Sequence, residues 1–255
     1  MPESDAHKAI FENLAATSAK EIEPPTAQLL QERGAFLHLR EYEIETKLQL
    51  EPSDAGFEQI PGLLREALTN RGYEFVTSED VVHKNYSIYY KSKSGRGKII
   101  ARNEGEGGFQ FKQKSQREPT TYENIIMKGE AKSPVFETLT EAEQYMGERL
   151  RTQKVRDQLE AVVEIKKTKL LVARDGADAV KRYFLVVIDE SRLPENPEAG
   201  VFRQIEIEYK GSDREQEDLP LTVQMQMERM VSDIQSIPEL NTARTLKTKR
   251  KWAKS

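Results

Sequence analysis

The sequence has 255 residues, of which 39 are Lys or Arg and 43 are Asp or Glu, so its formal charge is −4. Charged residues make up 32% of the chain, against about 25% in an average globular domain, but apolar residues still reach 37%, which excludes a disordered chain. The absence of Cys excludes disulfides, thiolate metal sites and Cys nucleophiles, and the three His argue against a His-rich metal site.

The composition and the N-terminal residues also bear on location. No apolar run is close to the roughly 18 residues that a membrane span needs. The first residues, MPESDAHK, lack the basic-then-apolar order of a secretory signal. The sequence therefore predicts a soluble, cytoplasmic protein with no membrane partner.

The first part of the chain begins with helical spacing and then changes to a period of two. Short helices are predicted at residues 6–20 and 26–33. The alternation over 36–50 predicts a strand. Helical spacing returns over 57–71, and Gly72 is expected to end that helix.

The remainder is mostly strand-like, with helices expected only at 139–150 and 220–235. About eight strands joined mainly by short turns favour an α+β protein with an antiparallel sheet able to close on itself. Further strands are expected at 81–91, 98–104, 108–114, 122–132, 160–174, 180–191 and 201–211.

The chain shows no internal repeat and no long linker. The simplest division is an N-terminal helical extension (1–34), one strand-rich domain (35–212), and a C-terminal helix with a basic tail (213–255). The tail is expected to be solvated. Its other interpretations are a plug over one end of the domain, or a nucleic-acid contact through phosphate neutralisation.

Charged residues recur on one face of almost every predicted strand, whereas the opposite faces, such as Ile205 and Ile207, are apolar. Two arrangements fit this pattern. One is a sheet with a solvated face, and the other is a barrel with a charged interior and helices packed outside. The pattern alone leaves both open.

Acidic residues with equal parity mark the first and the last strand. Glu43, Glu45 and Lys47 project from one face of the first, and Glu206 and Glu208 share a face of the last. Neighbouring carboxylates repel each other, and a hard divalent cation such as Mg²⁺ would compensate that repulsion because it takes carboxylate oxygens.

The strands between these two carry cations at alternating positions. Carboxylates that hold a metal, together with cations, complement a metal-bound polyphosphate. Taken singly, each of these charged pairs is explained equally well by a solvated face. The joint arrangement of acidic and cationic pairs is what favours a polyphosphate site. The cationic pairs are Lys98 and Arg102, Lys112 and Lys114, and Lys167 and Lys169.

The segment EIETK at 43–47 resembles the Glu-x-Glu-x-Lys signature of the CYTH superfamily, the triphosphate tunnel metalloenzymes. Later landmarks of that family follow in order, over about residues 40–210. The resemblance implies an eight-stranded antiparallel β-barrel, or tunnel, with a charged lumen and helices packed outside. The landmarks are FQFK ending at Lys112, MKGE with Lys128 and Glu130, IKKTK with Lys167 and Lys169, VVID ending at Asp189, and FRQIEIEYK with Glu206 and Glu208.

Three segments depart from the family pattern. Tyr89-Tyr90-Lys91-Ser92 stands where the family usually has a Tyr-Tyr-Asp-Thr or similar turn. Its paired Arg-x-Arg is Ile100-Ala101-Arg102 here, so only Arg102 matches, and Lys98 is the expected substitute. Lys169 stands where the family has Arg. Because Lys lacks the bidentate fork of Arg, the grip on phosphate is expected to be looser or differently directed.

The resemblance implies a divalent-metal-dependent triphosphatase that uses Mg²⁺ or Mn²⁺. It assigns metal binding to Glu43, Glu45, Asp189, Glu206 and Glu208. It assigns catalysis to Glu43, Glu45, Lys47, Glu130 and Asp189. It assigns substrate binding to Lys47, Lys98, Arg102, Lys112, Lys128, Lys167 and Lys169.

The family also contains class IV adenylate cyclases, and the incomplete Arg pair is compatible with a non-catalytic polyphosphate or nucleotide binder. The expected partner is a small triphosphate, with nucleic acid entering only as an RNA 5′-triphosphate end or through the basic tail. The oligomeric state stays open, with a homodimer as one option.

Two expectations concern interactions inside the barrel. Phe109 and Phe111 have the opposite parity to Lys112, so they should face the helices. Few aromatic side chains would then remain inside, and the phosphate chain should dominate recognition. Removal of Glu43 or Glu206 is expected to abolish turnover and to relieve repulsion without loss of stability.

Overall fold

The computed structural model of the protein describes residues 42–51, 55–76, 82–92, 95–102, 108–114, 120–122, 125–151, 155–214, 218, 220–245 and 249–253. The N-terminal extension over 1–34 and the helices predicted at 6–20 and 26–33 lie outside these residues.

The described residues form one antiparallel sheet, flanked by a few helices. The strands are β1 (Tyr42–Leu50), β2 (Glu74–Phe75), β3 (Val82–Ser92), β4 (Gly95–Arg102), β5 (Gly108–Lys114), β6 (Thr120–Tyr122), β7 (Ile125–Phe136), β8 (Leu159–Asp175), β9 (Lys181–Arg192), β10 (Phe202–Ser212) and β11 (Thr242–Arg244). The α-helices are α1 (Ile60–Thr69), α2 (Leu139–Leu150), α3 (Pro220–Gln235) and α4 (Lys249–Trp252). None of these helices combines the length and apolar character needed to cross a bilayer.

Local sequence explains where helix α2 begins. The side chain of Thr138 accepts a hydrogen bond from the backbone N–H of Glu141, and Glu141 in turn accepts from the backbone N–H of Thr138. This capping box satisfies two backbone donors at the start of the helix. It therefore fixes the point where the chain leaves β7 and covers the sheet.

The strands follow the order β11-β1-β10-β9-β8-β3-β4-β5-β7-β6, and β2 pairs with β8. Strand β1 also pairs with β7, from Tyr42 opposite Gly129 to Glu45 opposite Ile126. These pairings confirm the coarse prediction of an antiparallel, strand-rich α+β protein.

The register places the predicted charged residues on one side of the sheet. Residues directly opposite each other on antiparallel strands share a face. We call this side the charged face and the other the apolar face. The pairs that define the charged face are Glu45 with Glu208, Lys47 with Glu206, Gln204 with Asp189, Lys167 with Asp189, Tyr89 with Lys98, and Lys98 with Lys112.

The apolar face is covered by helices. Helices α1 and α3 pack on β1, β8, β9 and β10, whereas α2 packs on β3, β4 and β5. Phe109 and Phe111 lie in the core under α2, as predicted from their parity. Met227 and Met230 of α3 are fully buried, whereas Met225 is 65% exposed and does not belong to the core.

The charged face is not solvated in this region. Glu45 is 1% exposed, Lys47 7%, Asp189 0% and Glu206 8%. For these residues a sheet with one wet face is therefore the wrong interpretation. Their charges are enclosed, so they must be compensated by one another or by a ligand.

Three short strands and one short helix are additions to the predicted elements. Strands β2, β6 and β11 have only two or three residues each, too few to show a period. Helix α4 lies in the basic tail, which was expected to be solvated. That expectation is wrong for Lys249, whose side chain is 11% exposed, and for Trp252, which is 9% exposed.

Candidate metal and phosphate site

Three carboxylates converge where β1 and β10 pair. Glu45, Glu206 and Glu208 each place an oxygen such that all three oxygens lie within 4.8 Å of one another. They come together because Glu45 is directly opposite Glu208, and Glu206 lies two residues away on the same face. Glu45 of the first predicted Glu-x-Glu segment and both glutamates of the last thus form one acidic cluster.

Lys47 lies inside this cluster. Its Nζ donates to Oε1 of Glu206 at 2.6 Å and lies 3.1 Å from Oε2 of Glu45. The ammonium therefore neutralises part of the acidic cluster from within the protein.

Asp189 is the fourth acidic group of the site. It lies on β9, opposite Gln204 and Lys167, and its side chain is completely buried. Lys167 Nζ lies 3.5 Å from its Oδ1, and Lys249 of the C-terminal helix forms an ion pair with its Oδ2. Lys249 also donates to Oε1 of Glu206 at 3.0 Å, so it bridges two predicted metal ligands.

These contacts set the ionisation of the cluster. Burial alone would raise the pKa of Glu206, but Lys249, Lys47 and Lys167 hold it well below its ordinary value. Burial alone would lower the pKa of Lys47, but the nearby carboxylates of Glu206 and Glu45 raise that pKa above its ordinary value. The pKa of Lys249 is raised by Asp189 and Glu206 against the effect of burial. The three groups are therefore ionised at neutral pH.

Other predicted phosphate ligands lie along the same face. Lys98 is directly opposite Lys112 across β4 and β5, and both are half-buried. Lys169 is half-buried and two residues from Lys167. By contrast, Lys166 points to the other side, where its Nζ lies 3.6 Å from Glu58. The alternation of β8 thus separates site lysines from surface lysines.

Four predicted site residues have side chains outside the described part of the structure. The backbone of Glu43 pairs with that of Lys128, and Glu130 pairs with Lys114. Their roles, and that of Arg102, stay predictions.

Four residues of the site were missed by sequence reasoning. Gln204, Lys210 and Tyr89 share the parity of assigned neighbours, so alternation could have found them. Lys249 carries no such signal, because a Lys in a basic tail is typical of a solvated segment. Gln204 donates to Oε1 of Glu206, and Lys210 Nζ lies 2.5 Å from Oε2 of Glu208.

Aromatic side chains lie closer to the site than expected. Tyr89, Phe202 and Trp252 belong to one apolar cluster on the charged face. The rings of Phe202 and Trp252 stack, with centroids 5.6 Å apart and an interplanar angle of 17°. Burial raises the pKa of Tyr89. Nearby Lys249 and Lys47 lower that pKa, whereas Glu206 raises it. The expectation of few aromatic side chains on the charged face is therefore wrong at this end of the site.

The donor set fits a hard divalent cation. All of its acidic ligands are carboxylate oxygens, which Mg²⁺ and Mn²⁺ prefer. Among the described residues, the buried Oε1 of Gln204 has no hydrogen-bond partner. It supplies one more oxygen beside Glu206 that a bound cation or its hydration shell would satisfy.

Comparison with known proteins gives structural resemblance only. No protein-family model and no curated protein match the sequence. A Hippeastrum protein that had been proposed to be an adenylyl cyclase, and that has a dominant triphosphatase activity, is 17% identical, with a TM-score of 0.45 over 81% of this chain and 92% of that one. The RNA triphosphatase domain of the mimivirus mRNA capping enzyme is 8% identical, with a TM-score of 0.41 over 83% and 96%. The Pct1 RNA triphosphatase of S. pombe is 9% identical, with a TM-score of 0.33 over 86% and 90%.

Proposed function

We propose that this protein hydrolyses triphosphate-containing substrates with Mg²⁺ or Mn²⁺, within an enclosed tunnel. The observation that carries the proposal is the convergence of Glu45, Glu206 and Glu208 on a buried face. That face also holds lysines on several strands. Carboxylates for a metal and cations for phosphate are the two components that phosphoryl transfer requires.

Strand pairing supports the proposed enclosure. Because β1 pairs with β7 as well as with β10, the path β1-β10-β9-β8-β3-β4-β5-β7 returns to β1. We propose that these eight strands close as the barrel that residues 35–212 were predicted to form, with 1–34 and 213–255 outside the set of barrel strands. The charged face would then be the lumen, where low dielectric strengthens each ionic contact.

The metal would be held by Glu45, Glu206, Glu208 and Asp189, joined by Glu43 as the family resemblance implies. A divalent ion at this position would neutralise phosphate oxygens and lower the pKa of water. The carboxylate of Asp189 would orient the attacking water. Glu130 would assist it, again as the resemblance implies.

The phosphate chain would be bound by the lysines of the charged face. Lys167 and Lys169 on β8 would contact one side of the chain, and Lys98 and Lys112 the other. The resemblance adds Arg102 and Lys128 to this set. Lys47, which contacts Glu45 and Glu206, would stabilise negative charge that develops in the transition state.

The test is a substrate screen with two readouts. Phosphate release and cyclic-nucleotide formation are measured on tripolyphosphate, ATP, thiamine triphosphate and 5′-triphosphate RNA, each with Mg²⁺ or Mn²⁺. Phosphate release that Glu45→Gln abolishes, and that Glu66→Gln on the exposed side of α1 preserves, supports the proposal. Formation of cAMP would instead identify the protein as a nucleotidyl cyclase. Substrate binding without turnover would identify it as a binding module.

A further inference from the structure

Helix α4 inserts two side chains into the charged face. Lys249 contacts Asp189 and Glu206, and Trp252 stacks on Phe202 less than one helical turn further along the chain. Trp252 also packs in one cluster with Ile165 of β8. This end of the chain is therefore part of the site rather than a solvated appendage.

Residues 242–245, a few positions before α4, are held on β1, the strand that carries Glu45 and Lys47. Strand β11 pairs with β1, Arg244 being opposite Leu48, and the backbone N–H of Thr245 donates to the carbonyl oxygen of Lys47 at 3.1 Å. A tether of only a few residues therefore separates Lys249 from a fixed point on β1. Such a short tether gives the Lys249 ammonium a high effective concentration at the site.

The ammonium of Lys249 lies where a metal's charge would be needed. Oε1 of Glu206 accepts hydrogen bonds from both Lys47 and Lys249. The sequence predicted that a divalent cation compensates the repulsion between the carboxylates, and two ammonium groups already lie on one of these oxygens. A metal ligated by Asp189 and Glu206 would have to approach the Lys249 ammonium closely, and like charges at such distances repel strongly in an enclosed site.

We propose that Lys249 is an internal counter-cation that competes with the divalent metal, so that metal binding expels it from between Asp189 and Glu206. This inference rests on the proposed metal site and adds a regulatory device to it. Departure of Lys249 also loosens Trp252 from Phe202, because both side chains belong to the four-residue helix α4. Helix α4 would then be displaced when metal binds, and its docked state would weaken metal binding.

The alternative is a purely structural role, in which α4 stays docked whether or not metal is bound. The two cases differ in binding thermodynamics. A competitor must lower the apparent metal affinity of the wild type, and its removal must raise that affinity. A structural contact would leave metal affinity unchanged and lower only the stability of the fold.

The first measurement uses the fluorescence of Trp252, the single Trp of the chain. Acrylamide quenching of the full-length protein is followed during titration with MgCl₂ or MnCl₂, without substrate. The proposal expects quenching to rise as metal saturates the site. Trp252 that remains equally shielded at saturation would overturn it, and this measurement needs no variant.

The second measurement is calorimetric titration of the same metals into wild type, Lys249→Gln, Lys249→Arg and Lys251→Gln. Lys251 is exposed on the same helix and is the matched control. We expect Lys249→Gln to bind metal at least about 10-fold more tightly, and the Arg and Lys251 variants to resemble the wild type. If all four proteins bind metal with the same measurable affinity, the role of Lys249 as a competitor is overturned and the metal site still stands. No metal binding in any variant overturns the metal site and this inference together.

Discussion

Lys47 and Glu206 are 159 residues apart in sequence, yet they form a buried ion pair across β1 and β10, with 2.6 Å between Nζ and Oε1. Lys249 donates to the same oxygen of Glu206. The expectation that loss of Glu206 relieves repulsion is therefore reversed: the loss would leave two buried ammonium groups without their common partner.

We accordingly expect Glu206→Ala to lower the free energy of unfolding by about 3–5 kcal/mol, as for other broken buried ion pairs. Glu208→Gln is the control, because its side chain is 17% exposed and its partner Lys210 is 27% exposed. Urea unfolding at pH 7 measures both variants. An unchanged midpoint for Glu206→Ala would show that its lysines find other partners.

Adjacent lysines on β8 allow a clean test of phosphate binding. Lys167 faces Asp189, whereas Lys166 lies on the other side near Glu58. A charge-assisted contact contributes about 1.5–3 kcal/mol, so Lys167→Ala should weaken tripolyphosphate binding by about 10- to 100-fold. Lys166→Ala should change it by less than about twofold. Equal losses in the two variants would contradict the assignment of faces.

A buried ionic contact far from the site should control acid stability. Arg182 Nη2 donates to Asp218 at 2.8 Å, and both side chains are buried. Burial would raise the pKa of Asp218, but hydrogen bonds from Tyr209 and Arg182 hold it below its ordinary value. Its stabilising contribution is therefore present above about pH 4 and is lost as pH falls through the lower folded-state pKa.

Asp218→Asn should therefore cost about 3 kcal/mol at pH 7, and the difference from wild type should shrink below about pH 4. Asp178 also binds Arg182, but its side chain is 37% exposed. Solvent screening should keep the cost of Asp178→Asn within about 1 kcal/mol. Thermal unfolding at pH 7 and pH 3 measures both; a pH-independent cost for Asp218→Asn would contradict this account.

Competition between substrates shows which part of the substrate the site recognises. Four lysines on described strands of the charged face are assigned to phosphate, whereas Tyr89, Phe202 and Trp252 are already packed together. Excess tripolyphosphate should therefore inhibit turnover of the best nucleotide substrate. If it fails to do so, the aromatic cluster recognises the organic group, and a nucleotide-specific enzyme becomes the better description.

Alternation predicted a strand-rich antiparallel sheet and which side chains share a face, because each strand has two faces with different chemistry. Parity predicted that Phe109 faces the helices and that Glu206 and Glu208 share a face, without any knowledge of strand pairing, and the structure places Phe109 under α2 and Glu206 beside Glu45. The register between β1 and β10 was not predictable in the same way, because it joins segments that are far apart in sequence.

Two features could not be derived from strand parity, for physical reasons. Whether a charged face is wet or enclosed depends on what covers it, and strand parity carries no such information. Lys249 and Trp252 belong to a four-residue helix whose position is set by tertiary contacts. A basic tail of that length has no apolar period from which docking could be inferred.

The most direct test of the central claim uses Glu208→Gln, because stability should tolerate that change. Wild type and variant are freed of metal with EDTA, and phosphate release from tripolyphosphate is then followed as Mg²⁺ or Mn²⁺ is added back. We predict no release without metal, full recovery in the wild type, and a rate at least about 100-fold lower in the folded variant. Phosphate release that persists in EDTA, or a fully active Glu208→Gln, would contradict a carboxylate-held metal as the basis of the activity.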